Sequence, residues 1–507
     1  MLVSLCVGAQ ENLQLQKLQM AEWAITNLYV ENVDEKKLVE DAIRGMLSQL
    51  DPHSSYATKE QMLAMQESLN GNFEGIGVEF NIKEDTLLVI QPVLGGPSER
   101  VGIQAGDRIV AVDGEPIAGV KMSQEDIKRK LRGPKGTKVT LGVVRRGIAE
   151  PLSFVVERDK IPVKSVNASY MIRPGVGYIR IGGFGATTHK EFTDALKKLQ
   201  NDGMTSLILD LQDNGGGYMV AAVDICNEFL ENRDLIVYTD GREHSEYNAR
   251  GNGMFMKGKL MVLINEYTAS AAEIVSGAVQ DQDRGYVVGR RSFGKGLVQR
   301  QINLPDTSMI RLTIAHYYTP AGRCIQKPYT KGQSDDYARD MQNRLKRGEL
   351  TSADSIHFAD SLKYYTLRRH RTVYGGGGIM PDYFVPLDTT QYTRFHRAMQ
   401  AKGLVINANL RYVDTHRSEL KEQYRTFAEY RQTFEVPQTV IDELVDEAEK
   451  QDIKPENKAE MKTTLPYLKL QLKALIARDL WGMDEYFAIM NEQNAIVQEA
   501  IRLMEQE

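Results

Sequence analysis

Ser270 lies among small residues in Thr268-Ala269-Ser270-Ala271-Ala272-Glu273, and 25 positions later Lys295 stands between glycines in Phe293-Gly294-Lys295-Gly296-Leu297-Val298-Gln299. A serine hydroxyl is a weak nucleophile until a base takes its proton, and an amine can be that base if it is neutral. An ordinary lysine, with a pKa near ~10.4, is neutral in only about one molecule in a thousand at pH 7. Bringing it to about 7–8 costs roughly 4 kcal/mol, and burial is the usual means. Gly294 and Gly296 bring no side chains to crowd the amine, while Val287, Val288, Leu297 and Val298 supply apolar surroundings. Gln299, at i+4 from the lysine, falls on the same face in a strand or a helix. Its amide oxygen can accept from the amine without adding the negative charge that would restore a high pKa. The chemistry this set allows is hydrolysis of an acyl bond.

Such residues must be placed by rigid elements. Residues 259–264 (Lys-Leu-Met-Val-Leu-Ile) form a continuous apolar run, as expected of a strand in a sheet covered on both faces. Residues 265–269 read as a turn, and 271–280 carry Ile274, Val275 and Ala278 at helical spacing, with Glu273 in the first turn where the helix dipole favours an acid. Ser270 then sits beside free backbone N–H groups, of which Ala271 is the natural oxyanion donor. The plainer reading of a serine before a helix is an N-cap. A second buried strand, 206–211, runs into Gln212-Asp213-Asn214-Gly215-Gly216-Gly217. Three consecutive glycines permit positive φ and close backbone approach, so a main-chain N–H here could face the same oxyanion; an ordinary tight turn is the alternative. A phosphate loop fits poorly, because no Gly-Lys-Ser/Thr ending follows.

These stretches together resemble the C-terminal processing peptidases, the tail-specific protease group of the S41 serine peptidases. The small-Ser-small-x-Glu-Ile pattern is met by 269–274 and the Phe-Gly-Lys-Gly-x-Val-Gln pattern by 293–299. The Asp-Leu-Arg-x-Asn-x-Gly-Gly pattern appears at 210–217 with Gln212 in place of the arginine. The resemblance implies Ser270 as nucleophile, Lys295 as general base, Gln299 as the residue that positions the lysine, and Gly216 and Ala271 as oxyanion amides. It implies a multidomain α/β protein with an S41 core of the ClpP/crotonase-like kind, an inserted PDZ domain, and helical N- and C-terminal regions.

The segment before the core supports this separately. A glycine loop enters a strand at 72–80, a strand follows at 87–90, a short helix at 97–101, and a strand at 106–114 closes on an Asp-Gly turn. An amphipathic helix at 123–131 and a final strand at 139–145 complete an order that resembles a PDZ domain over 71–158. Such a groove binds an extended peptide C terminus by strand addition, with Gly75, Ile76, Gly77 and Val78 expected to hold the carboxylate. The basic run Lys128-Arg129-Lys130 reads as a solvated helix face.

At 507 residues the chain exceeds one core, and its net charge of −5 implies no general attraction to nucleic acid. No apolar stretch reaches the length of an integral membrane segment. Residues 1–10 read as the remnant of a secretory signal peptide with Val7-Gly8-Ala9 as cleavage site, hence a periplasmic or otherwise exported protein. Residues 11–70 read as helical, with His53 structural. The core spans 159–387, begins its sheet at 176–181, continues through 309–318, and is interrupted by a polar insertion at 328–373 that is partly helical or mobile. Residues 388–507 are strongly helical, read either as an oligomerisation or docking module (a route to a homo-oligomer) or as a helical cap. Cys226 and Cys324 read as buried, in a helix and a strand, with a disulfide open but not indicated. Cysteines and histidines show no metal spacing, and no cofactor is implied. The partners expected are proteins or peptides with apolar C termini. Two other readings stand beside the protease: a PDZ binding scaffold with a gated or inert core, and a histidine-using relative of the tricorn kind, for which His244 and His316 would need to fold toward Ser270.

Overall fold

Strands without polar alternation need cover on both faces, and the central sheet has it. The structure is a computed structural model that describes residues 3–83, 85–390 and 392–506. Six strands run in the order Val166–Arg173, Val176–Ile181, Ser206–Asp210, Leu260–Ile264, Tyr286–Gly289 and Tyr383–Phe384. The first pair is antiparallel and the others parallel. The sheet therefore begins one strand earlier than expected, at Val166–Arg173. Leu207, Leu209, Val262, Ile264 and Val287 point to one face, against the helices Thr188–Asn201, Met219–Asn227 and Ala271–Asp281. Ile208, Met261, Leu263 and Val288 point to the other, where Ile496, Val497, Ala500 and Ile501 of the last helix, Ala495–Gln506, cover them. The C-terminal region is thus a cap on the core sheet at its very end. The rest of it, from Arg394–Ala401 to Met483–Met490, packs its own helical core around Tyr430, Leu444, Leu468 and Leu472.

Met309–Tyr318 does not continue that sheet. It is the hub of a second one, pairing with Leu297–Asn303, Leu235–Gly241 and the N-terminal strand Ser55–Ala57. The reason is pairing between distant segments, which local apolar patterning does not specify. The N-terminal region is helical over Val3–Leu28, Glu35–Ser48 and Lys59–Asn70. Met1 and Leu2 of the expected signal remnant lie outside the described residues, and the remainder of that remnant runs into the first helix. No helix among the described residues is long and apolar enough to cross a membrane.

The inserted domain is a five-strand antiparallel meander, Val78–Lys83, Thr86–Pro92, Arg108–Val112, Lys138–Val144 and Leu152–Glu157, with Glu115–Pro116 pairing to the third strand. Leu152–Glu157 follows the strand read as final. Asp113 and Gly114 take φ of 49° and 82°, the turn their sequence demands, and Ser123 caps the Gln124–Leu131 helix by accepting from Asp126 N–H. A two-strand neck, Asn72–Gly75 against Asp159–Pro162, joins the domain to the core. Its flank meets the C-terminal helix Leu404–Gln423: Arg108 pairs with Asp414 at 2.6 Å, and Arg146 donates to the Asp414 carbonyl at 2.9 Å.

The 328–373 insertion contains the helix Ser334–Lys346 and a hairpin, Lys363–Tyr365 with Thr372–Tyr374. Arg344 is buried and donates to the carbonyls of Ser292 and Arg291, so the insertion backs the lysine loop. Cys226 is buried in a helix as expected, but Cys324 lies half-buried outside any strand, and both thiols are free.

Candidate active site

Ser270 stands where the strand Leu260–Ile264 turns into the helix Ala271–Asp281, with φ 57° and ψ −117°. A non-glycine residue pays for that conformation in backbone strain and holds it only when its surroundings over-determine it. They do. Thr268 Oγ1 donates to the Leu211 carbonyl at 2.8 Å, Ala269 N–H to the Asn214 carbonyl at 2.9 Å, and Ser270 N–H to the Glu273 carboxylate at 2.8 Å. Tyr317 donates its phenol to the Ser270 carbonyl at 3.1 Å.

Glu273 does much more than complement a helix dipole. Its fully buried carboxylate also accepts from the Ser292 hydroxyl at 2.5 Å, Gly294 N–H at 2.7 Å and Lys295 N–H at 2.9 Å. One carboxylate thus pins the backbones of Ser270 and Lys295 together. Burial pushes its pKa up, against hydrogen bonds that favour the charged form. Gly294, at φ 88°, has no room for a side chain: a Cβ would lie 2.9 Å from Gly378 N.

The Lys295 amine donates to Gln299 Oε1 at 3.0 Å, and Gln299 Nε2 donates to the His53 carbonyl at 2.7 Å. A bulge between Val298 and Gln299 sets the direction of that amide at the start of its strand. Burial first, and then the like charge of Arg311, brings the amine down to about 8; Glu273 and Asp51 oppose the shift. A useful fraction is therefore neutral near neutral pH. No hydrogen bond among the described residues joins the Ser270 hydroxyl to this amine.

Gly216 takes φ 98°, and a Cβ there would sit 2.8 Å from Ser270 Cβ and 3.0 Å from Ala271 N. Only glycine fits against the serine. Ala271 N–H is the first of its helix, which the helix itself does not satisfy. The Gly216 N–H, in contrast, donates to Asn214 Oδ1 at 2.8 Å, while Asn214 Nδ2 donates to the Ile181 carbonyl. Gln212, in place of an arginine, is buried, and its Nε2 has no hydrogen-bond partner among the described residues; Arg180 instead supplies a guanidinium to Asp210 at 2.7 Å and to the Gln212 carbonyl at 2.8 Å.

The four PDZ loop residues lie apart from this centre. Gly75 is in the neck, the Ile76 carbonyl accepts from Ser98 N–H and Oγ, the Gly77 carbonyl accepts from Val93 N–H, and Val78 opens the edge strand. His244 is exposed beside Asp240 and Glu246, and His316 lies on the opposite strand face from Tyr317, so the structure brings neither to Ser270. Three contributors escaped sequence reasoning: Glu273 as an anchor, Asn214, and the His53 carbonyl. Glu273 carried a signal, since an acid one turn after the nucleophile in an otherwise apolar helix needs buried donors.

Residues 175–337 match the Peptidase family S41 model, 88–145 a PDZ domain model, and 6–61 the model of the activating protease CtpB N-terminal domain. Residues 395–482, for which the sequence offered no motif, match a family of unknown function. A carboxy-terminal-processing protease of Bartonella bacilliformis is 38% identical over 59% of this chain and 69% of its own. Carboxy-terminal processing protease CtpA of Bacillus subtilis is 35% identical over 66% and 73%. A carboxyl-terminal-processing protease of Synechocystis is 36% identical over 68% and 81%.

Proposed function

This chain belongs to peptidase family S41, and we propose that it is a C-terminal processing serine endopeptidase that works through Ser270 and Lys295 and cleaves unstructured protein tails. The observation that carries the reading is the Glu273 carboxylate. It holds the serine and the lysine backbones at once, with the buried amine settled on Gln299.

Neutral Lys295 takes the Ser270 proton, and the alkoxide attacks the peptide carbonyl. The developing oxyanion lies against Ala271 N–H, and Gly216 N–H joins it by exchanging or sharing its Asn214 partner. The lysine, now charged, protonates the leaving amine, and water hydrolyses the acyl-enzyme with the amine again as base. Closing the serine–lysine hydrogen bond belongs to the substrate-bound state, since catalytic contacts tighten on binding. The PDZ edge strand Val78–Lys83 offers an extended tail one side of a ladder, and the loop of Gly75, Ile76, Gly77 and Val78 its carboxylate site, with an apolar terminal residue preferred. Action outside the cytoplasm, in the bacterial envelope, is part of the same proposal.

The test is cleavage of an unstructured peptide ending in Ala-Val-Ala. Ser270→Ala and Lys295→Ala are each expected to abolish cleavage while circular dichroism shows the fold retained. Full activity in either sinks the mechanism, whereas peptide binding without cleavage by the unsubstituted protein favours the reading of a PDZ scaffold.

A further inference from the structure

A glutamine amide has two ends of opposite hydrogen-bonding character and nearly the same shape. Only with Oε1 toward Lys295 does Gln299 accept from the amine; turned over, its Nε2 would donate into the lone pair with which the neutral amine must take the serine proton, and would face the charged amine donor to donor. Nothing about Gln299 itself decides this. The decision is made by the His53 carbonyl, which accepts from Nε2 at 2.7 Å and so leaves Oε1 for the lysine.

His53 is in turn held from two sides. Asp51 accepts from His53 N–H at 2.9 Å, from Ser54 N–H and Oγ, and from Thr313 Oγ1 at 3.0 Å, which locks the turn around Pro52. On the other side the His53 ring meets Tyr337, with Nε2 2.7 Å from the phenol oxygen and the rings edge to face at 5.1 Å. Gln326 Nε2 donates to that same phenol at 3.3 Å, which leaves the phenol proton for Nε2. Burial and the Lys295 charge bring the imidazole down to about 4, so it stays neutral and able to accept. Tyr337 comes from the helix Ser334–Lys346 of the insertion, and Lys327 and Phe293 close around its ring.

We propose that His53 and Tyr337 form a positioning pair for the general base: the insertion's Tyr337 fixes His53, and the His53 carbonyl fixes which end of Gln299 faces Lys295. The inference rests on the Ser270–Lys295 reading above. It gives the N-terminal segment and the insertion a shared task in catalysis that neither performs by touching substrate.

The experiment measures kcat and KM separately on the Ala-Val-Ala peptide for Tyr337→Phe, His53→Ala and the double variant, beside Lys295→Ala. Tyr337→Phe removes one oxygen, so its result stands whatever His53→Ala does to folding. Each single change is expected to lower kcat about tenfold with KM within about twofold, and the double to be no worse than the poorer single, because residues acting as one unit are not additive. His53→Gln, which restores an acceptor toward Tyr337, should recover most of the loss of His53→Ala. Unchanged kcat in Tyr337→Phe, a loss carried by KM, or a double variant at the product of the singles overturns the pair. Activity retained in Lys295→Ala overturns the underlying mechanism instead, and the two failures are read from different proteins.

Discussion

The catalytic centre and the PDZ domain are held in opposite ways. Around Ser270 and Lys295, one buried carboxylate takes four hydrogen bonds, and glycines stand where any Cβ would come within 3.0 Å of a neighbour. The PDZ domain hangs on a two-strand neck and is steadied by two ion pairs, Arg132–Glu67 to the N-terminal helices with both partners partly exposed, and Arg108–Asp414 to the C-terminal ones with the carboxylate buried. An exposed pair such as Arg132–Glu67 contributes about 0.2–1 kcal/mol, whereas leaving a buried donor unpaired costs about 1–3 kcal/mol. The difference teaches that the proposed chemistry sits in a network of buried hydrogen bonds, whereas the PDZ domain joins the rest through a short neck and ion pairs on its flank.

The comparison breaks most visibly at Glu273. Glu273→Ala leaves the N–H groups of Ser270, Gly294 and Lys295 without their acceptor, so stability should fall by about 3–5 kcal/mol and activity more than about a thousandfold. Denaturant melts and peptide cleavage check both. A variant that stays active would show that the centre is not held as described.

Next in size is the pH dependence. The base must be neutral, so kcat/KM should climb about tenfold per pH unit as pH rises toward about 8 and level off above it. His53, neutral above about 4, adds no step in that range. Peptide binding by the PDZ groove, followed by fluorescence on Ser270→Ala protein, should stay flat over the same interval. A rate maximum in acid would remove lysine from the role of base.

The smallest effect belongs to the PDZ anchor. Asp414→Ala removes the carboxylate partner of the partly exposed Arg108, far from the serine and lysine, so kcat/KM for a peptide with the Ala-Val-Ala tail should shift less than about fivefold. The variant and the unsubstituted protein should cleave the same peptide with an amidated C terminus at equal rates. A loss of tenfold or more on both would mean that the PDZ domain is as rigidly built in as the catalytic centre.

The sequence carried the parts of this site that lie close together along the chain. Small residues around Ser270, the glycines flanking Lys295 and the i+4 glutamine are legible because strand, turn and helix geometry act over a few residues. So are four of the PDZ strands and their Asp-Gly turn, though not the last strand, Leu152–Glu157. The long-range partners were not legible. Gln299 finds the His53 carbonyl 246 positions away, and His53 finds Tyr337 across 284. Asn214 was present in the motif, yet its hold on Gly216 N–H follows only from the path of the folded loop.

By itself, then, the sequence marked the proposed nucleophile, its proposed base, the glutamine beside it, and a sheet that needs cover on both faces. Tertiary structure alone decided that the last helix provides one of those covers, that Met309–Tyr318 leaves the central sheet for a second one, and that Glu273 binds the two catalytic loops together. Local patterns report which face of an element is apolar and which turn it can make. What meets that face, and which distant donor reaches a buried carboxylate, is settled only when the whole chain must bury its polar groups in pairs.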